Sequence, residues 1–233
     1  MVDLGCGAGN VTRLLARRWP QASITGVDNS EAMLAKARAS SGELPSLRFE
    51  LRDLAAWAPD APVDVVYSNA ALHWLPDHET LFPRLARCVA PGGVLAVQMP
   101  RNFDAPSHVA VADVASSERW RGRLGALVRP SPVAAPEAYL RWLAPHCASV
   151  DVWEAIYLQR LAARDDGEHP VVAFVSGTWL LPYFERLAGD AEARRDFLAD
   201  YRERIARAYP CEADGSTLFP FRRLFIVASR GGR

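Results

Sequence analysis

The chain has 233 residues, half of them hydrophobic and 23% charged, which excludes collagen-like, disordered and disulfide-framed folds and suits one embellished domain or two small ones. Lys plus Arg equals Asp plus Glu at 27 each, so no global basic field gathers phosphate backbones and a nucleic-acid partner is not expected. The start carries no signal peptide, no apolar run approaches the roughly 18 residues of a membrane span, and Cys6, Cys88, Cys147 and Cys211 form no C-x-x-C pair, so the reading is a cytoplasmic protein without a zinc site or disulfide framework.

The first half alternates short β-branched runs with longer helical patterns, the signature of βαβ units on a parallel sheet. Strands are predicted at residues 1–4, 23–28, 46–50, 63–68 and 92–99. Between them, Asn10–Arg18 repeats apolar residues at Val11, Leu14 and Leu15 before Trp19-Pro20 stops the helix. Ser30 can cap a second helix with Met33, Leu34 and Ala37 on its apolar face, and a third over 77–89 presents Leu81, Phe82, Leu85 and Val89 before Pro91-Gly92-Gly93 turns into 94–99. Beyond residue 100, Pro106, Pro130, Pro132 and Pro136 predict an irregular connection with one helix near 107–118, followed by a helix near 136–145. The alternation over 150–158 predicts a strand, and Leu224-Phe-Ile-Val-Ala228 a later one. About sixty residues between them read as helical, with 190–209 the strongest segment, an insertion suited to a cap at about 165–210 or to a structural role.

The densest signal is Asp3-Leu4-Gly5-Cys6-Gly7-Ala8-Gly9-Asn10, which follows a strand and opens a helix, so backbone N–H groups point at whatever lies over the turn. The dinucleotide fingerprint is G-x-G-x-x-G, but here the third glycine comes one residue early and an acid precedes the first by two positions. That pattern suits S-adenosylmethionine, whose amino-acid end carries an ammonium. Asp28 ends the second strand, where an acid can accept from both ribose hydroxyls of an adenosine. Asp53 after the third strand can receive the adenine amino group while Leu54 covers the ring. Ser68-Asn69-Ala70-Ala71-Leu72-His73-Trp74 closes the fourth strand at a carboxyl end, where open α/β sheets bind ligands.

These four strand ends resemble the Class I, Rossmann-like S-adenosylmethionine methyltransferases over about residues 1–100, with the two late strands as that fold's sixth and seventh, the last antiparallel, and a helical insertion before it. The resemblance implies that Asp3, Gly5, Gly7 and Gly9 hold the methionine end, Asp28 the ribose, and Asp53 with Leu54 the adenine. Asn69 and Ala70 then contact the methionine end through main-chain groups, and Asn29, Met33 and Trp74 complete the cofactor set. Residues 1–100 become the cofactor-binding half of a single methyltransferase domain and 101–233 its substrate side. Over nearly the whole chain, the runs Asn69-Ala-Ala-Leu-His-Trp-Leu-Pro-Asp-His78, Leu95-Ala-Val-Gln-Met-Pro-Arg-Asn102, Pro106-Ser-His108 and Phe219-Pro-Phe-Arg-Arg-Leu-Phe-Ile-Val-Ala228 look like the trans-aconitate 2-methyltransferases. That family esterifies a carboxylate of a small tricarboxylic acid. Its members carry a further segment before the glycine loop, so the first strand is expected here as a stub and the chain as truncated.

Methyl transfer from a sulfonium is an in-line displacement, and a carboxylate acceptor is already ionised near neutral pH, so no general base, catalytic triad or metal is expected. Orientation supplies the rate, and up to roughly 7–11 kcal/mol of barrier can come from it. Only Lys36 among the 27 cations is a lysine, so carboxylates of the acceptor are expected on arginine forks. Arg223 is the first candidate, with Arg101, Asn102, His108 and Arg222 in the same family-like runs and His73 as a wall of the acceptor site. Successive side chains on an extended segment point opposite ways, which sends Arg222 away from Arg223. A ring-carbon methyltransferase for a quinone-type acceptor, a cofactor-binding protein without turnover and a nicotinamide dehydrogenase are the competing readings. The glycine spacing opposes the last.

Overall fold

Two-residue periodicity gives way to 3.6-residue periodicity along the first hundred residues, and the chain follows it. Strands β1 (Val2–Leu4), β2 (Ile24–Asp28), β3 (Leu47–Leu51), β4 (Val63–Asn69) and β5 (Val89–Pro100) are interleaved with helices α1 (Asn10–Arg18), α2 (Glu31–Ser40) and α3 (His78–Arg87). The structure is a computed structural model that describes residues 1–42 and 44–232. Two further strands, β6 (Ser149–Leu161) and β7 (Thr217–Ser229), complete a seven-stranded sheet of order β3-β2-β1-β4-β5-β7-β6. Pairings among β1 to β5 are parallel and β7 runs antiparallel to β5. This is the Rossmann-like order expected from the resemblance, with the helical insertion ahead of the last strand. The strand order reverses between β1 and β4, and the crevice outside their carboxyl ends is where such sheets take ligands.

The chain divides into two compact units, one of residues 1–100, 132–155 and 223–233, the other of 101–131 and 156–222. In the first, Leu4, Ile24, Val27, Val66 and Leu95 are fully buried, each worth about 1.5–3 kcal/mol of transfer free energy. Helix α6 (Pro136–Leu143) joins α3 here, with the rings of Phe82 and Tyr139 edge to face at 4.7 Å. In the second, α4 (Pro106–Ser116), α5 (Arg121–Leu124), α7 (Pro170–Ser176), α8 (Leu181–Arg186) and α9 (Ala191–Ala208) enclose a core that includes Val111, Val175, Phe197, Tyr201 and Phe219. Asp190 caps α9 by accepting from the Ala193 N–H at 2.9 Å, as a side-chain oxygen at that position should. No helix among the described residues is long and apolar enough to cross a membrane, and no cluster of His, Cys, Asp and Glu among them suits a metal.

Four local expectations need correction. Pro91-Gly92-Gly93 is no separate turn but part of β5, with Gly92 at φ +78 and a register shift opposite Val63 and Val65. A Cβ on Gly93 would overlap the Asp64 carbonyl, so glycine is what lets the bulged strand pass. Val89 therefore belongs to β5, and α3 ends at Arg87. Helix α1 buries Thr12 and Ala16, with Val11 and Leu15 half-buried and the Thr12 hydroxyl on Asp3, while Leu14 is exposed. Strand β7 begins at Thr217, so Arg222 and Arg223 lie inside the strand and do not precede it.

Candidate cofactor site and acceptor residues

β1 ends at Leu4, and Gly5, Gly7 and Gly9, with φ of +76, +53 and +72, turn the chain into α1. A side chain at Gly5 would overlap the Cβ of Ala71, and one at Gly9 would stand 3.0 Å from Ala37 and 3.1 Å from Phe49. At Gly7 an added Cβ meets nothing within 4 Å, so this face of the loop is open to a ligand. The loop is tied to β2 by the Gly5 N–H on the Val27 carbonyl at 2.8 Å.

Asp28 ends β2 beside that open face. Its Oδ2 accepts from the Gly7 N–H at 2.8 Å and its Oδ1 from the Ser30 N–H at 2.9 Å. Each oxygen keeps a lone pair, so the locked carboxylate can still accept from two hydroxyls. Asp3 is 2% exposed and accepts from the Thr12 hydroxyl at 2.7 Å. Burial pushes its pKa up to about 6, the Thr12 hydrogen bond opposes this, and the Asp28 charge adds to it. A buried acid held so far from its ordinary range is suited to an incoming cation.

The remaining cofactor candidates divide by exposure. Leu54 is buried, whereas Asp53 is exposed and its Oδ1 accepts the Ala55 N–H at 2.9 Å in a tight turn, leaving its second oxygen available. Asn29 and Met33 are exposed, Met33 within the first turn of α2. Asn69 ends β4, and Ala70 adopts φ +55 with its N–H donated to the Gln98 carbonyl at 2.9 Å, so of its main-chain groups the carbonyl is the one left for a ligand. Trp74 is 62% exposed, at the end of a 3₁₀ turn over Leu72–Trp74.

Of the acceptor candidates, Arg223 and His73 lie in the first unit. The Arg223 guanidinium donates to Gln98 Oε1 at 2.9 Å. His73 is buried, its Nδ1 lacks a hydrogen-bond partner among the described residues, and its pKa is pushed down to about 4 by burial, then by His78 and Arg223. Its imidazole is therefore neutral at physiological pH. Arg101, Asn102, His108 and Arg222 belong to the second unit. Arg222 pairs with Asp104 at 2.9 Å, opposite in direction to its neighbour as strand alternation requires. Asn102 Oδ1 accepts the Arg222 N–H at 2.6 Å, and the Arg101 N–H reaches the Arg222 carbonyl at 3.0 Å, so this stretch is tied to Arg222 by one side-chain and one main-chain bond. His108 packs with Phe103 and Trp179, ring centroids 5.8 and 4.6 Å away, and burial pushes its pKa down to about 4 against the pull of Asp104.

Three groups with no role assigned from the sequence support these residues, Ser68 among them although it opens the fourth strand-end run. Thr12 fixes Asp3, and its signal was a hydroxyl on an otherwise apolar helix face. Ser68 donates to the Leu4 carbonyl at 2.8 Å, bracing the start of the loop from β4. Gln98 holds Arg223, and its signal was an amide in the middle of an apolar strand.

Residues 1–93 match a family described as a methyltransferase domain. The trans-aconitate 2-methyltransferase of Variovorax paradoxus is 47% identical over 232 residues, 99% of this chain and 86% of that one, and the enzyme of that name from Streptomyces coelicolor is 47% identical over 99% of this chain and 76% of its own. Among solved structures, the YcgJ protein of Bacillus subtilis superposes with a TM-score of 0.60 at 15% identity, covering all of this chain and 92% of that one. A Haemonchus contortus phosphoethanolamine N-methyltransferase, solved with S-adenosylhomocysteine, gives 0.54 at 19% identity, this chain spanning 48% of its length. At such identities the two structures speak for the fold.

Proposed function

The chain belongs to the trans-aconitate 2-methyltransferase family, and from that premise we propose that it transfers a methyl group from S-adenosylmethionine to a carboxylate oxygen of trans-aconitate or a similar small tricarboxylic acid. The observation that carries this reading is the near-complete match to relatives of that name. The residues fit the cofactor: the open glycine face, the locked Asp28 carboxylate and the buried acid Asp3 offer respectively room, ribose acceptors and a partner for an ammonium. When bound, the cofactor supplies a sulfonium methyl that an oxygen nucleophile can displace in line.

The chain's own part is binding and orientation. We assign Asp3, Gly5, Gly7 and Gly9, with main-chain groups of Asn69 and Ala70, to the methionine end, Asp28 to the ribose, and Asp53 with Leu54 to the adenine, while Asn29, Met33 and Trp74 complete the cofactor set. The acceptor carboxylate needs no base, so the acceptor residues serve to fix its angle and to displace water. Arg223 is the first of these, with His73 in the same unit; the readings of Arg101, Asn102 and His108 as acceptor residues and of 165–210 as a helical cap fall in the second unit. The partner is then a small acid rather than a nucleic acid. A cytoplasmic site of action agrees with four free thiols. The test is a panel of di- and tricarboxylic acids and aromatic acceptors offered with labelled S-adenosylmethionine. Label entering the acids supports the reading, and label entering only the ring acceptors overturns it.

A further inference from the structure

Gln98 stands on β5 with its Cα opposite Asn69 of β4 on one side and Phe225 of β7 on the other. Pro100 is opposite Arg223, and residues that face each other across an antiparallel pair share a side of the sheet, so Gln98 and Arg223 are diagonal neighbours on one face. Gln98 is 7% exposed, and its Oε1 accepts from the Arg223 guanidinium at 2.9 Å. A guanidinium has donors only, so it fixes which end of the amide is oxygen and turns the NH₂ the other way. That Nε2 is buried without a partner among the described residues, and so is Nδ1 of His73. Native folds rarely leave buried polar groups unmet, and an unmet amide donor with an unmet imidazole nitrogen in the neighbourhood of one arginine points to a group supplied from outside.

We propose that Gln98 is a binding residue for a carboxylate of the acceptor, its amide N–H donating to one carboxylate oxygen while its carbonyl aims Arg223 at the same group. His73 Nδ1, buried beside them without a partner among the described residues, becomes a third donor in the tautomer that carries its proton there. The main-chain carbonyl of Gln98 already receives the Ala70 N–H, which sets this subsite beside the end of β4 to which the methionine end is assigned. The proposal rests on the reading that the acceptor is a small polycarboxylate. A carboxylate anchored here leaves a second one to receive the methyl.

The experiment compares the wild type with Gln98→Met, which keeps the volume and removes the amide, and with Gln98→Glu, which keeps a partner for Arg223 but opposes an anion. Steady-state methylation of trans-aconitate gives KM and kcat, and titration with S-adenosylhomocysteine gives cofactor affinity for each. Gln98→Met should raise KM for trans-aconitate about ten- to hundredfold, the loss expected when a hydrogen bond to a charged group disappears, with S-adenosylhomocysteine affinity unchanged. Gln98→Glu should raise KM at least as much. Gln98→Met combined with Arg223→Lys should cost less than the product of the two single losses, since the pair acts as a unit. An unchanged KM in either single variant overturns the subsite, as does a parallel loss of S-adenosylhomocysteine affinity, which would assign the amide to the cofactor. A wild type inactive on every tricarboxylate overturns the functional reading and the subsite together, whereas an active wild type with an indifferent Gln98→Met overturns the subsite only.

Discussion

Both oxygens of Asp28 already accept main-chain N–H groups, so removing this side chain frees the loop from β2 and deletes the ribose acceptors in one step. At roughly 1.5–3 kcal/mol for each hydrogen bond to a charged group, Asp28→Ala should weaken S-adenosylhomocysteine about ten- to hundredfold or more by titration calorimetry. Asp53→Ala should cost less, because an exposed acid leaves an adenine amine that water can satisfy. Asp3 makes a claim about pH. Its folded pKa, raised to about 6, lies above the ordinary carboxylate value of 3.8, so it stabilises the ligand-free fold at low pH and that contribution is lost as pH rises from about 4 through about 6. An ammonium placed beside it favours the ionised form and reverses the preference. S-adenosylhomocysteine should therefore bind more tightly as pH climbs from about 5 to about 7, and Asp3→Asn should flatten that slope. A slope that survives in Asp3→Asn would remove Asp3 from the cofactor assignment.

The strand-to-helix turn and the last strand carry the next two predictions. Gly5→Ala drives a Cβ into Ala71 at positive φ, so the loop must move and stability should drop together with cofactor affinity. Gly7→Ala meets no atom within 4 Å but stands at φ +53, so it should cost only the roughly 1–2 kcal/mol of a left-handed L-residue, less than Gly5→Ala, while S-adenosylhomocysteine binding weakens because the new methyl occupies the face left open for the ligand. Equal losses in both variants would show that the loop reads strain rather than access. In β7, Arg223→Lys keeps the charge but loses the planar guanidinium that Gln98 Oε1 holds through one N–H, so KM for trans-aconitate should rise with cofactor affinity unaltered, whereas Arg222→Lys perturbs an ion pair with Asp104 and should leave KM alone. Much of this was legible beforehand: spaced glycines and acids at strand ends announce themselves because backbone geometry leaves few other residues possible there. What stayed hidden has a shared physical cause. Thr12, Ser68 and Gln98 are polar side chains inside apolar patterns, where periodicity counts them as interruptions, and only the partner supplied by a distant strand or the loop reveals their work.

At the scale of the molecule, the parallel βαβ half and the helical insertion were legible because apolar periodicity survives across βαβ units, and the antiparallel last strand came from the family resemblance, while the division at residues 101–131 and 156–222 joins segments far apart in the chain and left no local signal. The second unit's core centres on rings such as Phe197, which stacks on Tyr183 at 5.6 Å and is fully buried, so Phe197→Ala should destabilise the protein by about 3–5 kcal/mol in denaturant unfolding. A chain that makes a methyl ester of a small polycarboxylate leaves a product with a chemical mark that other methylation products lack. Incubated with methyl-labelled S-adenosylmethionine and trans-aconitate, the protein should give a labelled product that mild alkali converts quantitatively to labelled methanol. No incorporation into the acid, or label that alkali cannot release, would contradict it.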